Sequence, residues 1–245
     1  MRFFKKIAVF IFCIYLAPSI ASAALWAARS HPENWREADW SSTHILPDPK
    51  LDPEARIVVF SASTGGFKGA FAVHSWIVLR KEGQPHYDRY DVVGWGKPVR
   101  KNHYAADGRW YSNMPEKVIE ISGPQAQRLI PRIEAAIKAY PHDRKGAYVL
   151  WPGPNSNTFI ATILRAVPEI GAVLPPNAVG RDYLASGPMV SVDAITGDLH
   201  VTLSGLFGFS AGRTSGLEMH FMGLVAGLDL ANPGIKVPAF GRLGV

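Results

Sequence analysis

The stretch Trp151-Pro-Gly-Pro-Asn-Ser-Asn-Thr-Phe159 places a rigid turn directly before a helix. Pro152 and Pro154 fix the backbone φ angle and remove two N–H donors, which shapes the turn. The four residues after them are all of types that cap helix N-termini. Apolar residues then recur at helical spacing until Pro168 ends the run: Phe159, Ile160, Ile163, Leu164 and Val167. The pattern predicts a helix from about Thr158, with polar side chains at its positive N-terminal end.

The N-terminus has the pattern of a secretory signal peptide. Three basic residues precede an apolar run over 7–16, and Ala21-Ser-Ala23 forms a small-residue cleavage site. We expect residues 1–23 to be cleaved rather than retained as an anchor, because the apolar run is short for a membrane span. The predicted location is the bacterial envelope, periplasmic or secreted.

The composition of the mature chain argues against several kinds of site. After cleavage the chain has 23 Lys and Arg and 20 Asp and Glu. The resulting net charge of +3 is too small to indicate a nucleic-acid partner. Cys13 is the only cysteine and leaves with the leader, so no disulfide or thiolate nucleophile remains. The eight histidines are scattered and no recognised metal or nucleotide motif occurs. We therefore expect no metal and no cofactor.

The residues before the central turn predict an antiparallel sheet. The spans 56–62, 70–80 and 86–95 are rich in β-branched and aromatic residues and are separated by turn residues, which indicates a three-stranded meander. His74 lies in its central strand. Apolar residues at helical spacing between Ala126 and Tyr140 predict a second helix.

The C-terminal part is expected to form further strands. Residues 205–230 are apolar and Gly-rich, as in strands whose backbones approach closely. The predicted fold class is α+β, an antiparallel sheet with two packed helices and Gly-rich C-terminal strands. We divide the mature chain into an extended lead-in, 24–55, and one α+β domain, 56–245.

A serine at a helix start and a histidine on a strand suggest nucleophilic chemistry. Ser156 needs a neighbouring base, which His74 would supply, and a third group would orient the imidazole. His86 lies on the next strand, and Asp91 and Tyr90 compete for that third role. The oxyanion donors would be the backbone N–H groups of Ser156 and Asn157, or the Asn155 side chain. We expect the remaining pocket residues to be these four: Asn155, Asn157, Trp76 and Trp151.

The chain resembles a bacterial family known only as domain of unknown function 3750. The matching stretches cover most of the mature chain: His74-Ser-Trp-Ile77, Arg89-Tyr-Asp-Val-Val-Gly-Trp-Gly96, the turn 151–159, Val179-Gly-Arg-Asp182, Gly205-Leu-Phe-Gly208 and the tail 236–244. This resemblance implies no particular activity.

The order of His74 and Ser156 is also similar to circularly permuted papain-like domains, such as NlpC-like cell-wall peptidases and the lecithin:retinol acyltransferase group. In those domains a strand histidine precedes a cysteine at a helix N-terminus. Here the helix position is serine, and a helix dipole activates a thiol far more than a hydroxyl. The resemblance implies a permuted papain-like core that either uses serine or has lost the reaction.

Two functional hypotheses follow. The preferred one is a non-catalytic envelope module that uses a papain-like pocket to bind a peptidoglycan peptide, a lipid or an envelope protein, with the apolar tail as an assembly or membrane-facing surface. The alternative is a serine hydrolase or acyltransferase acting on envelope peptide or lipid, with Ser156 as nucleophile and His74 as base. Whether the protein is an enzyme stays open, because no complete catalytic motif occurs.

Overall fold

The computed structural model describes residues 2–185 and 189–244. It is an α+β fold with two antiparallel sheets rather than one, so the predicted fold class is confirmed and its single sheet is corrected. The second sheet holds all the strands after residue 189. The C-terminal strands could not be assigned to a separate sheet from their composition alone, because period and composition do not specify which strands pair.

The N-terminal leader is one long helical segment. It comprises α1, Arg2–Ile11, a π-helical turn, Phe12–Leu16, and α2, Ala17–Ala27. The segment Arg2–Ala27 is long and apolar enough to cross a membrane, which is compatible with either a signal peptide or an anchor. The first residues of the predicted lead-in, 24–27, are therefore helical rather than extended.

The first sheet has five strands: β1, Arg56–Ser63, β2, Val73–Arg80, β3, Asp88–Val92, β4, Val99–Lys101, and β5, Glu116–Ser122. Their order is β4-β3-β2-β1-β5, so the predicted meander with His74 in its central strand is confirmed. The runs β1 and β2 are buried on both faces, which explains their continuous apolar sequences.

Two helices cover one face of this sheet. Helix α3 spans Gly123–Lys138, and helix α4 spans Ser156–Ala166, beginning two residues earlier than predicted. Apolar residues of both helices pack against Ile57, Val59 and Ile77 of the sheet. The opposite face packs Phe60 and Trp76 against Trp110.

The lead-in after Ala27 is irregular but firmly held. The Asp107 carboxylate accepts hydrogen bonds from Ser42 Oγ at 2.6 Å and from the Ile45 backbone N–H at 2.8 Å. Trp40 also packs edge-on against Trp110, with ring centroids 5.1 Å apart. The lead-in therefore holds the loop that carries Trp110.

The second sheet is a seven-stranded meander. Its strands run in sequence order: β6, Val190–Val192, β7, Leu199–Leu203, β8, Phe207–Gly212, β9, Gly216–Phe221, β10, Leu224–Asp229, β11, Gly234–Val237, and β12, Gly241–Gly244. The predicted Gly-rich strands are confirmed. At Gly208 and Gly227 an added Cβ would lie 2.1 and 2.0 Å from the carbonyl oxygen of a neighbouring strand.

Candidate functional site

The start of α4 is capped by Asn155 rather than by Ser156. Asn155 Oδ1 accepts the backbone N–H groups of Asn157 at 2.9 Å and Thr158 at 3.1 Å. In return, Thr158 Oγ1 accepts the Asn155 N–H at 3.1 Å, which completes a capping box. The side chains of Asn155 and Thr158 therefore satisfy the ordinary needs of this helix end.

The cap is also tied to neighbouring segments. Asn155 Nδ2 donates to the carbonyl oxygens of Leu150 at 2.9 Å and Val179 at 3.0 Å. Gly180 lies so close that an added Cβ would be 2.3 Å from Asn155 Nδ2, and its φ of +96° favours glycine. Asn155 therefore has a structural role in addition to its place in the cavity wall.

Asn157 joins this helix start to the strand that carries His74. Its Nδ2 donates to the Val73 carbonyl oxygen at 2.8 Å and to the Val179 carbonyl oxygen at 2.9 Å. Val73 directly precedes His74, and Asn157 directly follows Ser156. The predicted base, His74, and the predicted nucleophile, Ser156, are therefore each adjacent in sequence to a partner of the Asn157–Val73 hydrogen bond.

The Ser156 hydroxyl forms no hydrogen bond with any described residue, although the residue is only 4% exposed. It occupies the first turn of α4, where unpaired backbone N–H groups and the helix dipole favour negative charge. A hydroxyl that neither caps the helix nor bonds to a neighbour is available to a ligand.

The His74 imidazole is held by a carboxylate and an aromatic ring. Its Nε2 lies 3.4 Å from Asp91 Oδ2, and the imidazole stacks on Trp110 with ring centroids 3.6 Å apart and planes 5° apart. Arg89 Nη2 donates to the same Asp91 oxygen at 2.9 Å. The guanidinium of Arg89 in turn lies over Trp76, 4.2 Å from the ring centroid.

This environment controls the charge of both groups. Burial lowers the pKa of His74 below its ordinary 6.5, because the effect outweighs the attraction of Asp91. Burial acts to raise the pKa of Asp91, but the hydrogen bond from His74 and the charge of Arg89 hold it below 3.8. At neutral pH the arrangement is a neutral imidazole beside an ionised carboxylate.

His74 and Ser156 line one cavity of about 410 Å³. The cavity wall is mainly apolar and aromatic and comes from several parts of the chain: Leu16, Phe71, Trp95, Trp110, Tyr111, Tyr148, Leu150, Trp151, Met222 and Leu224. Trp151 fixes its position by donating Nε1–H to the Met222 carbonyl oxygen at 3.0 Å. The cavity suits an apolar ligand that meets a few polar groups at its end.

The structure brings together only some of the predicted site residues. His86 lies outside the cavity wall, and its imidazole is largely exposed, 3.7 Å from Asp88 Oδ1. Trp76 is fully buried within the second core cluster and donates Nε1–H to the Ala106 carbonyl oxygen, so it does not line the cavity. Tyr90 packs toward the opposite face of the sheet, against the main core.

Two of the three predicted oxyanion donors are already used. The Asn157 N–H and the Asn155 amide group form the hydrogen bonds of the cap. The Ser156 N–H has no such bond among the described residues. It is the donor that remains for a developing negative charge at this helix end.

A separate cluster has the residue types of a metal site. Asp182, Glu218 and His220 place ligand atoms within 4.8 Å of one another. However, Glu218 is paired with Arg181 at 2.5 Å and with Lys236. Two buried cations already balance its charge, so a metal ion would have to displace them, and these residues do not fit a metal.

Two residues of the site were missed from the sequence. Trp110 stacks on the imidazole, and Arg89 holds the carboxylate that contacts it. Arg89 and Asp91 are two positions apart on one strand, so their side chains share a face of the sheet. That spacing was a usable signal for Arg89, whereas nothing in the loop sequence indicated that Trp110 would fold back onto β2.

No curated protein and no solved structure gives a significant match, so the predicted likeness to papain-like cores gains no support from them. A family model described as "Protein of unknown function (DUF3750)" matches residues 54–183. That range is more than half of the chain and contains β1 to β5, both core helices and His74, Asp91 and Ser156, and the chain therefore belongs to the DUF3750 family.

Proposed function

We propose that the cavity is a serine-dependent acyl-transfer site, with Ser156 as the nucleophile, His74 as its base and Asp91 as the group that orients the imidazole. The observation that carries this proposal is the unbonded Ser156 hydroxyl at a helix start, lining one cavity with a histidine that contacts an aspartate. Asp91 takes the third role because its carboxylate lies 3.4 Å from His74 Nε2, whereas the His86 imidazole lies beside Asp88.

The chemistry follows from which nitrogen is free. Asp91 occupies Nε2 of His74, which leaves Nδ1 to take the proton as Ser156 Oγ bonds to the acyl carbon. The same proton then passes to the leaving alcohol or amine as its bond to the acyl carbon breaks. Water or an acceptor hydroxyl attacks the acyl-serine and regenerates Ser156, giving hydrolysis or transfer.

The electrostatics support this assignment. A base must be neutral before it can take a proton, and the lowered pKa of His74 keeps it neutral at pH 7. The Ser156 N–H, which has no hydrogen bond among the described residues, lies at the positive end of α4 and would donate to the oxyanion of the tetrahedral intermediate. The apolar wall favours an ester or amide of a lipid acyl group or an apolar envelope peptide. The leader is consistent with an envelope location, periplasmic or secreted.

The test is labelling of the full chain with a fluorophosphonate, a reagent that reacts with activated serines. The variants are Ser156→Ala and His74→Gln. Ser19→Ala is the matched control, because Ser19 lines the same cavity but donates its hydroxyl to the Tyr15 carbonyl oxygen at 2.6 Å. We expect label on the wild type and on the Ser19 variant, none on the Ser156 variant, and labelling slowed by roughly 10²–10⁴-fold without His74.

The proposal fails if the wild type takes no label, or if Ser156→Ala is labelled as fast as the wild type. The second outcome would mean that the reagent reports a different hydroxyl.

A non-catalytic binding module is the second candidate, and the cavity wall favours it. Most of the lining is apolar or aromatic, as expected of a pocket that retains a lipid or an apolar peptide. This candidate predicts that the protein captures lipid or peptidoglycan peptide and that Ser156→Ala retains the capture. Lipid vesicles and peptidoglycan that both fail to bind the protein would count against it.

A further inference from the structure

The seven-stranded sheet has a row of polar residues on its inner face and a row of apolar residues on its outer face. In an antiparallel sheet, residues directly opposite each other on neighbouring strands share a face. One such row crosses all seven strands and contains only apolar residues: Val192, Leu199, Ala211, Leu217, Leu228, Ile235 and Leu243. Five of these seven are about half exposed, between 47% for Leu228 and 60% for Val192.

The adjacent row lies on the other face and has the opposite character. It runs through Ser191, His200, Ser210, Glu218, Gly227, Lys236 and Arg242. Ser210, Glu218 and Lys236 of this row are buried, and Lys236 and Glu218 form an ion pair there. A sheet with one face in water normally shows the reverse pattern.

Other exposed apolar side chains extend this outer face. They include Val190, Leu203, Phe207, Phe209 and Met219, each between 42% and 55% exposed. Val190 and Phe209 belong to one further row, paired through Val201, and Leu203 pairs with Phe207 in another. A continuous apolar surface of this extent marks an interaction site rather than ordinary surface.

The leader indicates what covers the face. The helix that is long and apolar enough to cross a membrane contacts this same sheet: Tyr15 Oη donates to the Met219 carbonyl oxygen at 2.9 Å, and its ring packs on Phe221 with centroids 5.2 Å apart. Phe10 and Ile14 line a groove with Phe209 and Leu217. A segment suited to lipid therefore lies against a sheet face that is also suited to lipid.

We propose that the outer face of the seven-stranded sheet docks on a lipid bilayer, together with the apolar leader helix that packs against it. Ten half-exposed apolar side chains would leave water together, in the manner of an interfacial protein surface that sinks about 5–10 Å into the headgroup region. Leu224 and Met222 belong to this sheet or its β9–β10 turn and also line the cavity with Ser156. Docking would place the cavity beside the membrane surface whether or not Ser156 reacts.

The test measures depth at single positions, because the leader alone could tether the protein to vesicles. In a Cys13→Ser background, an environment-sensitive fluorophore is attached to the full chain through Val192→Cys or Ile235→Cys. Leu51→Cys and Lys97→Cys are the controls, since both positions are exposed and lie outside the sheet. The vesicles contain phosphatidylethanolamine and phosphatidylglycerol.

We expect emission at positions 192 and 235 to shift to the blue on vesicles and to lose quenching by iodide, with no change at 51 and 97. Sheet labels that stay as accessible to iodide as the controls would overturn the proposal, because only the leader would then be embedded. The proposal would also be overturned if the sheet labels were protected from iodide before vesicles are added and the protein had the mass of two chains. The outer face would then be an interface with a second copy of the chain.

Discussion

Asn155 caps helix α4 and Ser156 does not, and this difference predicts how each substitution affects stability. Two substitutions of neighbouring polar residues, Asn155→Ala and Ser156→Ala, should differ widely in cost although both side chains are buried. Asn155 accepts two backbone N–H groups and donates to two carbonyl oxygens. The Ser156 hydroxyl has no hydrogen-bonding partner among the described residues to lose.

The magnitude follows from those contacts. Loss of an N-cap costs about 0.5–2 kcal/mol, and the upper end applies because the N–H groups of Asn157 and Thr158 are left in a buried setting. The Val179 carbonyl keeps its bond from Asn157, which limits the further loss. We expect Asn155→Ala to lower the free energy of unfolding by about 2 kcal/mol, or the melting temperature by roughly 4–8 °C in a chain of this size.

Ser156→Ala should stay within about 0.5 kcal/mol of the wild type, since it removes no hydrogen bond seen among the described residues. Urea unfolding of both variants, followed by circular dichroism, measures the difference as a shift in midpoint at constant slope. Equal destabilisation by the two substitutions, or a larger effect at Ser156, would refute the assignment of the cap to Asn155. It would also remove the reason for regarding the Ser156 hydroxyl as available.

Three further outcomes are expected. The rate of fluorophosphonate labelling should stay constant as the pH falls to 6.5 and should decline only below that pH. The reason is that burial lowers the pKa of His74 and the neutral imidazole is the active form. A rate that is half-maximal above pH 6.5 would contradict this. Gly180→Ala should destabilise the fold by at least about 1–3 kcal/mol, measured by thermal unfolding, because its Cβ would overlap the Asn155 amide at a positive φ; a neutral effect would mean that the loop shifts freely. Glu218→Gln should cost roughly 3–5 kcal/mol in urea unfolding at pH 7, since it removes the closest carboxylate of the buried Arg181 and the partner of the buried Lys236. Burial opposes ionisation of Glu218, but the charge of Arg181 lowers the pKa of Glu218 below 4.5. The wild type should therefore lose this stability as the pH falls below 4.5, while the variant should not. Parallel curves of stability against pH for the two proteins would argue against the ion pair.

The main elements of the core were predictable from the sequence, whereas the short strands β4, β11 and β12 were not predicted. The buried runs of β1 and β2 and the apolar period of α4 are local signals, and each was predicted within a few residues. The separation into two sheets was not predictable, because it depends on which strands pair over long range. The Asn155 cap is an intermediate case, since four consecutive residues had capping side chains and only the structure distinguishes among them.

The third residue of the candidate site could not be predicted from the sequence either. Whether His86, Tyr90 or Asp91 meets His74 depends on the register between β2 and β3, which pairs Ile77 with Tyr90. Extending that register places Asp91 beside Trp76, two residues from His74 on the same face. It places His86 at the far end of the strand pair and turns Tyr90 toward the core. Periodicity alone does not set a register, so the third position stayed open.

The Arg181–Glu218 pair means that the boundary of the family match is not a boundary of folding. The matched region ends at residue 183 and includes Arg181, whereas Glu218 lies on β9 outside it. An isolated fragment of residues 54–183 would lose the Glu218 carboxylate, which is the closest counter-ion of Arg181, and would keep only Asp182, 3.6 Å from Arg181 Nε. It would also lack the lead-in residues that Asp107 binds. In this chain the matched region therefore depends on flanking segments for part of its stability, and a fragment cut at the limits of the family match would separate charges that the whole chain keeps together.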